Sequence, residues 1–223
     1  MNTKGKLTLA AGAGLLVAFV LWTLLITTAD LQPAGPEGSM VGLASFNLRF
    51  HRLTGVHMSL YTITDWLGLV PVAVCLFFGG LGLWQLIKRR SLLATDLDIV
   101  LLGIYYVFVI LAYLIFEMYP VNYRPVLIDG RLEASYPSST TLLVLSVMPT
   151  LIFQAGRRLK KFTAGIIAIG SAFFTAFMVI GRLISGVHWL TDIIGALLLS
   201  MGLFYTYKAA VMLLKDKETR CGI

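Results

Sequence analysis

The sequence predicts an all-α integral membrane protein with six transmembrane helices, and both composition and charge pattern indicate this fold class. Of the 223 residues, 58% are hydrophobic and 13% are charged, whereas about a quarter of a typical soluble domain is charged. The mean hydropathy is +0.85. Six apolar runs reach the length of about 20 residues that a helix needs to cross a bilayer. Cys75 lies in an apolar run and Cys221 near the C-terminus, so the sequence predicts no disulfide framework.

The six predicted spans follow one another along the whole chain. They cover residues 7–29, 66–87, 99–119, 138–156, 163–180 and 189–214. The first run is longer than the core of a signal peptide, so we interpret it as a retained span. Residues 27–29 resemble a cleavage site, however, so the alternative that the first run is a removed signal peptide stays open. Residues 215–223 are predicted to form a short charged tail on the cytoplasmic side, and the chain 1–223 is expected to be one six-span membrane domain.

Residues 30–64 are predicted to form a loop between the first two spans, and part of this loop has helical periodicity. Residues 30–40 contain proline and glycine, which predict irregular structure. Between residues 41 and 53, apolar side chains recur every three or four positions, at Leu43, Phe46, Phe50 and Leu53. This pattern predicts a short amphipathic helix that ends at Gly55. A helix on the membrane surface and a helix packed within the loop are equally good interpretations.

Lysine and arginine residues are unevenly distributed between the two predicted sides of the membrane. Segments 4–6, 88–90, 157–161 and 215–220 carry twelve of them, and the connections on the other side carry five. Because cytoplasmic loops are enriched in these residues, both termini are predicted to be cytoplasmic. The net charge of +7 is then mostly a topology signal, with anionic lipid headgroups rather than nucleic acid as the expected partners.

Three ionisable residues interrupt an otherwise apolar part of the chain. Arg182, His188 and Asp192 are the only Asp, Glu, Lys, Arg or His residues between positions 161 and 208. A charged group at membrane depth costs about 2.5–3.5 kcal/mol, so three so close together favour a functional role. On a helix, His188 and Asp192 would lie about one turn apart on one face. The carboxylate could then fix the imidazole tautomer and leave the other nitrogen free as a base or nucleophile. The alternative is a loop whose polar groups only cap helix ends.

Two further polar clusters lie on the same predicted side. Arg124 and Pro125 follow the third span, and the segment 137–141, Pro-Ser-Ser-Thr-Thr, opens the fourth. Proline followed by hydroxylated residues is typical of a helix start, with Ser138 or Ser139 as the cap. The free N–H groups of such a start can bind an anion. Each feature alone is explained by capping or an ordinary loop cation, but together they predict a phosphate pocket.

These motifs resemble those of the type-2 phosphatidic acid phosphatase family of membrane lipid phosphatases, over nearly the whole chain. That family carries Lys, six residues, Arg-Pro; then Pro-Ser-Gly-His; then Ser-Arg, five residues, His, three residues, Asp. Here the third motif is Gly181-Arg182, five residues, His188, three residues, Asp192, and only its first residue differs. The resemblance implies that His188 attacks phosphorus to form a phosphohistidine and that Asp192 orients it. It also implies that Arg124 and Arg182 hold the phosphoryl oxygens.

Two positions depart from the family pattern. Glu117 occupies the place of the first-motif lysine, and Thr140 occupies the place of the second-motif histidine. In the family that histidine is the general acid for the leaving group, and a threonine hydroxyl cannot usefully donate a proton near neutral pH. Because general acid catalysis is worth about 10²–10⁴-fold, hydrolysis of monoesters should be weakened.

The leading hypothesis is a lipid phosphatase that hydrolyses a lipid phosphate or diphosphate at the extracytoplasmic face of the plasma membrane, with no metal or cofactor. Ser138 and Ser139 are expected to help Arg124 and Arg182 bind the phosphate. A leaving group that is itself a phosphate is stable as an anion, so the missing acid favours a diphosphate lipid such as a polyprenyl diphosphate. The alternatives are a phosphotransferase on the same scaffold and a catalytically silent lipid-phosphate binder.

Three residues are candidates to replace the missing acid. Glu117 could serve if burial in the protein favoured its protonated form. His51 and His57 lie in the first outer loop, although a lone histidine without a placed partner is more often an ordinary interfacial residue. The sequence leaves the identity of the acid open.

Overall fold

The computed structural model describes residues 2–92 and 94–221, with side chains through residue 214. Most of these residues are helical. The α-helices are α1 (Thr3–Thr28), α2 (Ala44–Thr54), α3 (Met58–Leu67), α4 (Leu69–Arg89), α5 (Leu97–Met118), α6 (Ser139–Arg158), α7 (Lys161–Ile184) and α8 (Leu190–Cys221). The prediction of an all-α protein is therefore confirmed.

Six helical segments are long and apolar enough to cross a membrane. Within the described residues they are Thr3–Thr28, Met58–Arg89, Leu97–Met118, Ser139–Arg158, Lys161–Ile184 and Leu190–Leu214. The predicted number of spans is confirmed, and the chain is a multi-pass membrane protein. Because this number is even, the first span begins on the side where the last one ends.

The centre of the bundle is α6. Its mean hydropathy is 1.4, against 2.7 for α5, because hydroxyl and amide side chains replace aliphatic ones along it. Thr141, Ser146 and Thr150 are fully buried, and α4, α5, α7 and α8 pack around the helix. On the far side of α8 lies α1, which makes a close approach at Gly12, where a Cβ atom would be 2.9 Å from the backbone nitrogen of Thr206. The polar residues that weaken the hydropathy of α6 are thus shielded from lipid.

The second span begins earlier than the sequence predicted, so the first loop ends at residue 57 and not at 64. Residues 58–67 form α3, which continues with a break at Gly68 into α4. The polar residues of this segment suggested a loop, but their groups are satisfied within the fold. Thr64 is fully buried and its hydroxyl donates to the carbonyl of Leu60. Its methyl group packs where Gly181 of α7 has no side chain.

The C-terminal part also differs from the prediction of a separate tail. The backbone of α8 remains helical through Cys221, so the predicted tail 215–223 is mostly a continuation of the last helix. Residues 222 and 223 of that tail lie outside the described part of the chain.

The predicted helix in the first loop is present as α2, and it packs against the protein on one face. Asn47 is buried and its amide donates to Thr191 Oγ1 at 2.9 Å, while Ala44 packs with Trp189. On another face Phe46 and Leu53 are exposed. The helix therefore fits the packed interpretation on one side and keeps apolar side chains free on the other.

We call the end of the bundle that carries connections 29–57, 119–138 and 185–189 the site end, and the opposite end the basic end. At the site end, residues 128–131 form a tight turn, with Ile128 and Arg131 exchanging backbone hydrogen bonds of 3.1 and 2.9 Å. Asp129 and Gly130 both have positive φ, as a tight hairpin turn requires. The three connections converge over the starts of α6 and α8.

Candidate active site

His188 lies in the connection between α7 and α8, and its ring is oriented from one side only. The side chain is buried, and Nδ1 donates to the carbonyl of Ser135 at 3.2 Å. Because a carbonyl only accepts, Nδ1 carries the proton and Nε2 carries the lone pair. Nε2 is buried and has no hydrogen-bond partner among the described residues. The ring therefore presents an unused lone pair, which a nucleophile or base requires.

Asp192 lies in the first turn of α8, behind the histidine. Its Oδ2 accepts from the backbone nitrogen of Trp189 at 2.9 Å, so the carboxylate caps the helix. The same oxygen lies 3.6 Å from His188 Nδ1, which is an electrostatic contact longer than a hydrogen bond. The sequence predicted that the carboxylate would orient the imidazole. In the structure the Ser135 carbonyl makes the shorter contact, and sequence reasoning missed it because a backbone acceptor has no residue-type signal.

The first loop contacts the connection that carries His188 and fixes its backbone. Gly186 has a φ of 70°, and a Cβ atom there would lie 2.0 Å from the carbonyl oxygen of Gly55. His51 Nε2 donates to the carbonyl of Gly186 at 3.0 Å, and the backbone nitrogen of His57 donates to Ser185 at 2.9 Å. These contacts fix the backbone on the N-terminal side of His188.

Burial holds the pKa of His188 well below that of a free imidazole, and the positive charges of Arg124 and Arg182 act in the same direction. The hydrogen bond to Ser135 opposes this shift without reversing it. The ring is therefore neutral at neutral pH. A neutral imidazole in the field of two guanidinium groups is suited to attack an anionic, electrophilic centre.

Arg124 and Arg182 are brought together on one aromatic ring. The guanidinium carbon of Arg182 lies 4.7 Å from the ring centre of Tyr61, and that of Arg124 lies 5.7 Å from it. Arg182 is 1% exposed and Arg124 is 7% exposed. Nε and Nη1 of Arg124 and Nε of Arg182 have no aligned hydrogen-bond acceptor in the described part of the chain. Leaving buried, charged donors without an aligned acceptor is costly, so the two side chains are suited to bind an anion.

Each arginine also has a carboxylate neighbour. Glu133 Oε2 lies 3.1 Å from Arg124 Nε, and Asp65 Oδ1 accepts from Arg182 Nη2 at 2.7 Å. Neither acid was among the candidates from the sequence. Asp65 did have a signal, since it is the only acidic residue between positions 37 and 96. Tyr61 and Asp65 are four apart on α3 and so face Arg182 together.

The part of the chain that carries these residues matches a known family of membrane phosphatases. The family model of the PAP2 superfamily matches residues 99–215, which is more than half of the sequence and includes both arginines, His188 and Asp192.

The chain belongs to the PAP2 superfamily.

The fold of this PAP2 protein is similar to the crystal structure of the first transmembrane PAP2-type phosphatidylglycerolphosphate phosphatase from Bacillus subtilis. The TM-score is 0.65 at 16% sequence identity, over 92% of this chain and 96% of that chain. At this identity the likeness shows the fold. No curated protein matches the chain by sequence. The family makes the chain a phosphoric ester hydrolase that acts on lipids, and the resemblance stated from the motifs is confirmed.

Two cavities meet at the start of α6 in this PAP2 protein. A polar cavity of about 290 Å³ is lined by residues that include Arg124, Glu133 and Ser139. An apolar cavity of about 330 Å³, lined by α3, α4, α5 and α6, has Asp65, Ser139 and Thr140 at its polar end. Ser139 lines both cavities. Ser138, in contrast, is fully buried and its hydroxyl donates to Thr141 Oγ1 at 3.0 Å, so its side chain is used within the helix start.

The structure also places the two residues that depart from the family pattern. We call the pair Arg124 and Arg182 the clamp. Thr140 Oγ1 accepts a hydrogen bond from Arg182 Nη2, so this side chain supports the clamp. Glu117 lines the polar cavity but is exposed. The hypothesis that Glu117 replaces the acid required burial, and that condition is not met.

The two histidines of the first loop lie close to the site but point elsewhere. His51 packs on Trp189, with ring centres 5.5 Å apart, and uses Nε2 for the carbonyl of Gly186. His57 is exposed, and its Nε2 bonds to the carbonyl of Thr54 at 2.9 Å. Both rings are thus engaged with backbone carbonyls, which fits the ordinary structural interpretation.

Proposed function

We propose that this PAP2 protein hydrolyses a lipid phosphate or diphosphate through a phosphohistidine formed on Nε2 of His188. One observation carries the proposal. The unpartnered Nε2 of a neutral, buried imidazole lies in the field of two buried arginines that have unused donors. Such an arrangement binds a phosphoryl group and presents a nucleophile to it in one step.

In the first step, the Nε2 lone pair attacks phosphorus and the bond from phosphorus to the leaving oxygen breaks. The leaving group departs with the electron pair of that bond. The Nδ1 proton stays on the ring, where the Ser135 carbonyl and the Asp192 carboxylate stabilise the positive charge that develops. In the second step, water attacks the phosphohistidine, phosphate is released and the neutral imidazole is restored.

The charge on the transferred group is stabilised by Arg124 and Arg182 together with the first turn of α6. Backbone N–H groups in the first turn of a helix have no intrahelical acceptor, and Ser139 begins α6 on the lining of both cavities. Fixed donors aimed at developing charge are commonly the largest contribution to catalysis of this kind. Ser138 contributes through its place at the helix start rather than through its hydroxyl.

We place the lipid chain of the substrate in the apolar cavity. Its lining includes Leu69, Val72, Val109 and Leu142, and its polar end reaches Thr140 beside the clamp. A substrate lying with its chain between α4 and α5 can then put its phosphate on Arg182. This placement directs the leaving group toward the polar end of the apolar cavity.

Thr140 favours leaving groups that are already stable as anions. Its hydroxyl accepts from Arg182, and it has no acidic proton to give near neutral pH. A lipid alkoxide needs a proton, whereas a lipid monophosphate does not. We therefore expect a preference for a diphosphate, for example a polyprenyl diphosphate, over a lipid monoester.

The substrate class is tested with purified protein in detergent micelles, using farnesyl diphosphate and dioleoyl phosphatidic acid. Phosphate release should be faster from the diphosphate, and Thr140→His should raise monoester turnover more than diphosphate turnover. Glu117→Gln should leave diphosphate cleavage largely intact. A wild type that prefers the monoester and loses that activity in Glu117→Gln would show that Glu117 is the acid.

The same assay separates the other functions that fit the site. Transfer of the phosphoryl group to an added lipid alcohol, in place of phosphate release, would identify a phosphotransferase. Binding of both probes without any turnover, in the wild type and in Thr140→His, would identify a silent lipid-phosphate binder.

We further propose that the site end faces the extracytoplasmic side of the plasma membrane. The basic end carries the arginine and lysine clusters 88–90 and 157–161, which favours a cytoplasmic position. In a background without Cys75 and Cys221, a cysteine at Asp129 should react with an impermeant maleimide in intact cells. A cysteine at Lys160 should react only after permeabilisation. Gly186 is unsuitable for labelling because a side chain there would collide with Gly55. The reverse labelling pattern would invert this orientation.

A further inference from the structure

Asp65 is the acid that lies at the junction of the clamp and the apolar cavity. Its Oδ1 accepts from Arg182 Nη2 at 2.7 Å, and the same nitrogen donates to Thr140. The side chain of Asp65 is 58% exposed, whereas that of Arg182 is 1% exposed. Oδ2 has no hydrogen-bond partner in the described part of the chain. One oxygen of Asp65 therefore holds the arginine, and the other is free to meet water.

The second step of the proposed mechanism needs a group that takes a proton from water. In an in-line transfer, the leaving group departs from the side of phosphorus opposite Nε2, and water then attacks from that same side. The water therefore occupies the polar end of the apolar cavity. Of the residues that line this cavity, Asp65 is the only acid.

The other carboxylates near the site are less suited to this step. Asp192 is fully buried on the Nδ1 side of His188, away from the attacking water. Glu133 and Glu117 line the polar cavity and not the apolar one. Thr140 lies at the correct end, but a hydroxyl group is too weak a base near neutral pH.

We propose that Asp65 is the general base that activates water for hydrolysis of the phosphohistidine. The inference rests on the proposed function and adds a catalytic residue to it. Asp65 Oδ2 accepts a proton from water as the water oxygen forms its bond to phosphorus. The bond from phosphorus to Nε2 breaks, and its electron pair returns to the imidazole, which keeps its Nδ1 proton. Phosphate leaves, and Asp65 releases the proton to solvent.

This assignment separates the two halves of the reaction. In this mechanism Asp65 takes a proton in the second step, whereas Thr140 cannot usefully donate one in the first. The site then has a base for its second step and no acid for its first. A site with a base but no acid suits a substrate whose leaving group is stable as an anion without protonation. Asp65 and Thr140 therefore both favour a lipid diphosphate.

The test measures the two steps separately by rapid quench, using farnesyl diphosphate with a ³²P label in the terminal phosphate. Asp65→Asn keeps an oxygen that can accept from Arg182 but removes the base. It should release farnesyl monophosphate in a first turnover at the wild-type rate and then accumulate labelled protein. Steady-state turnover should fall by about 100-fold, within the range typical of general base catalysis. Asp129→Asn, at the exposed turn, is the matched control and should change neither step.

Three outcomes would overturn the inference. An equal slowing of the first turnover and the steady state would mean that Asp65 only positions Arg182. Unchanged steady-state turnover would mean that Asp65 has no part in the slow step. Turnover by Asp65→Asn without any labelled protein would overturn both this inference and the phosphohistidine. His188-dependent labelling in the wild type with either of the first two results would overturn the Asp65 inference alone.

Discussion

The two ends of the helix bundle both bury charged side chains, but only the site end leaves their donors unused. At the basic end, Asp98 accepts from Arg157 Nε at 3.0 Å and from Arg158 Nη1 at 2.9 Å. Gln154 accepts from Arg158 at 2.5 Å and donates to Tyr207 at 2.6 Å. None of these described side chains has a buried polar atom without a partner, in contrast to Arg124, Arg182 and His188.

This difference teaches how to tell a structural charge cluster from a functional one. Burying a charge is tolerated when its hydrogen bonds are complete, as around Asp98. At the site end the hydrogen bonds of Arg124, Arg182 and His188 are incomplete, as expected of groups that bind a ligand. The richer ion-pair network is therefore the structural one, and the incomplete one is the candidate for chemistry.

The largest expected loss of activity follows from replacing His188, the proposed nucleophile at the site end. His188→Ala should lower kcat for the preferred lipid by roughly 10⁴-fold or more, because no other side chain can form the covalent intermediate. The assay is phosphate release from purified protein. Size-exclusion and thermal-unfolding profiles should match the wild type, and activity near the wild-type level would exclude His188 as nucleophile.

A smaller loss is expected at Asp192. Where a carboxylate alone fixes the tautomer of a catalytic histidine, replacing the carboxylate by an amide lowers kcat by about 10⁴-fold. Here the Ser135 carbonyl also holds Nδ1, so we expect Asp192→Asn to retain binding and to lower kcat by about 10- to 100-fold. A loss as large as that of His188→Ala would mean that the Ser135 contact does not orient the ring.

The pH dependence of the reaction probes the electrostatics of the same end. The nucleophile must be neutral, and the pKa of His188 is lowered by burial and by the two arginines. Activity should therefore persist as the pH falls past the ordinary imidazole value of about 6.5 and be lost only below it. Arg124→Gln removes one positive charge, which raises this pKa and should move the acid limb of kcat/KM to higher pH. Arg131→Gln, in the turn, should leave the limb in place; equal shifts in both variants would contradict the assignment.

The smallest effect on catalysis is expected at the basic end. Asp98→Asn breaks the ion pairs to Arg157 and Arg158 and should lower the free energy of unfolding by about 1–3 kcal/mol, read as a lower thermal midpoint in detergent. The kcat of the folded enzyme should not change, because this cluster is structural. If Asp98→Asn had normal stability and a reduced kcat, the basic end would not be purely structural and the distinction between the two ends would be wrong.

The sequence by itself determined the spans and the motif of Arg182, His188 and Asp192. Hydropathy over about 20 residues is a local property, so six spans could be counted from the chain alone. The spacing of Arg182, His188 and Asp192 is also local, because these residues lie in and around one connection.

Only the tertiary structure decided which residues complete the site. Asp65 and Tyr61 meet Arg182 from more than 100 positions away, and the orientation of His188 depends on a backbone carbonyl at Ser135. The exposure of Glu117 and the use of Thr140 by Arg182 depend equally on how α5, α6 and α7 pack. Periodicity and composition report what each segment prefers to bury, but not which buried groups meet. The sequence therefore determined the membrane fold and the Arg-His-Asp motif, and the packing of the helices decided which residues surround that motif.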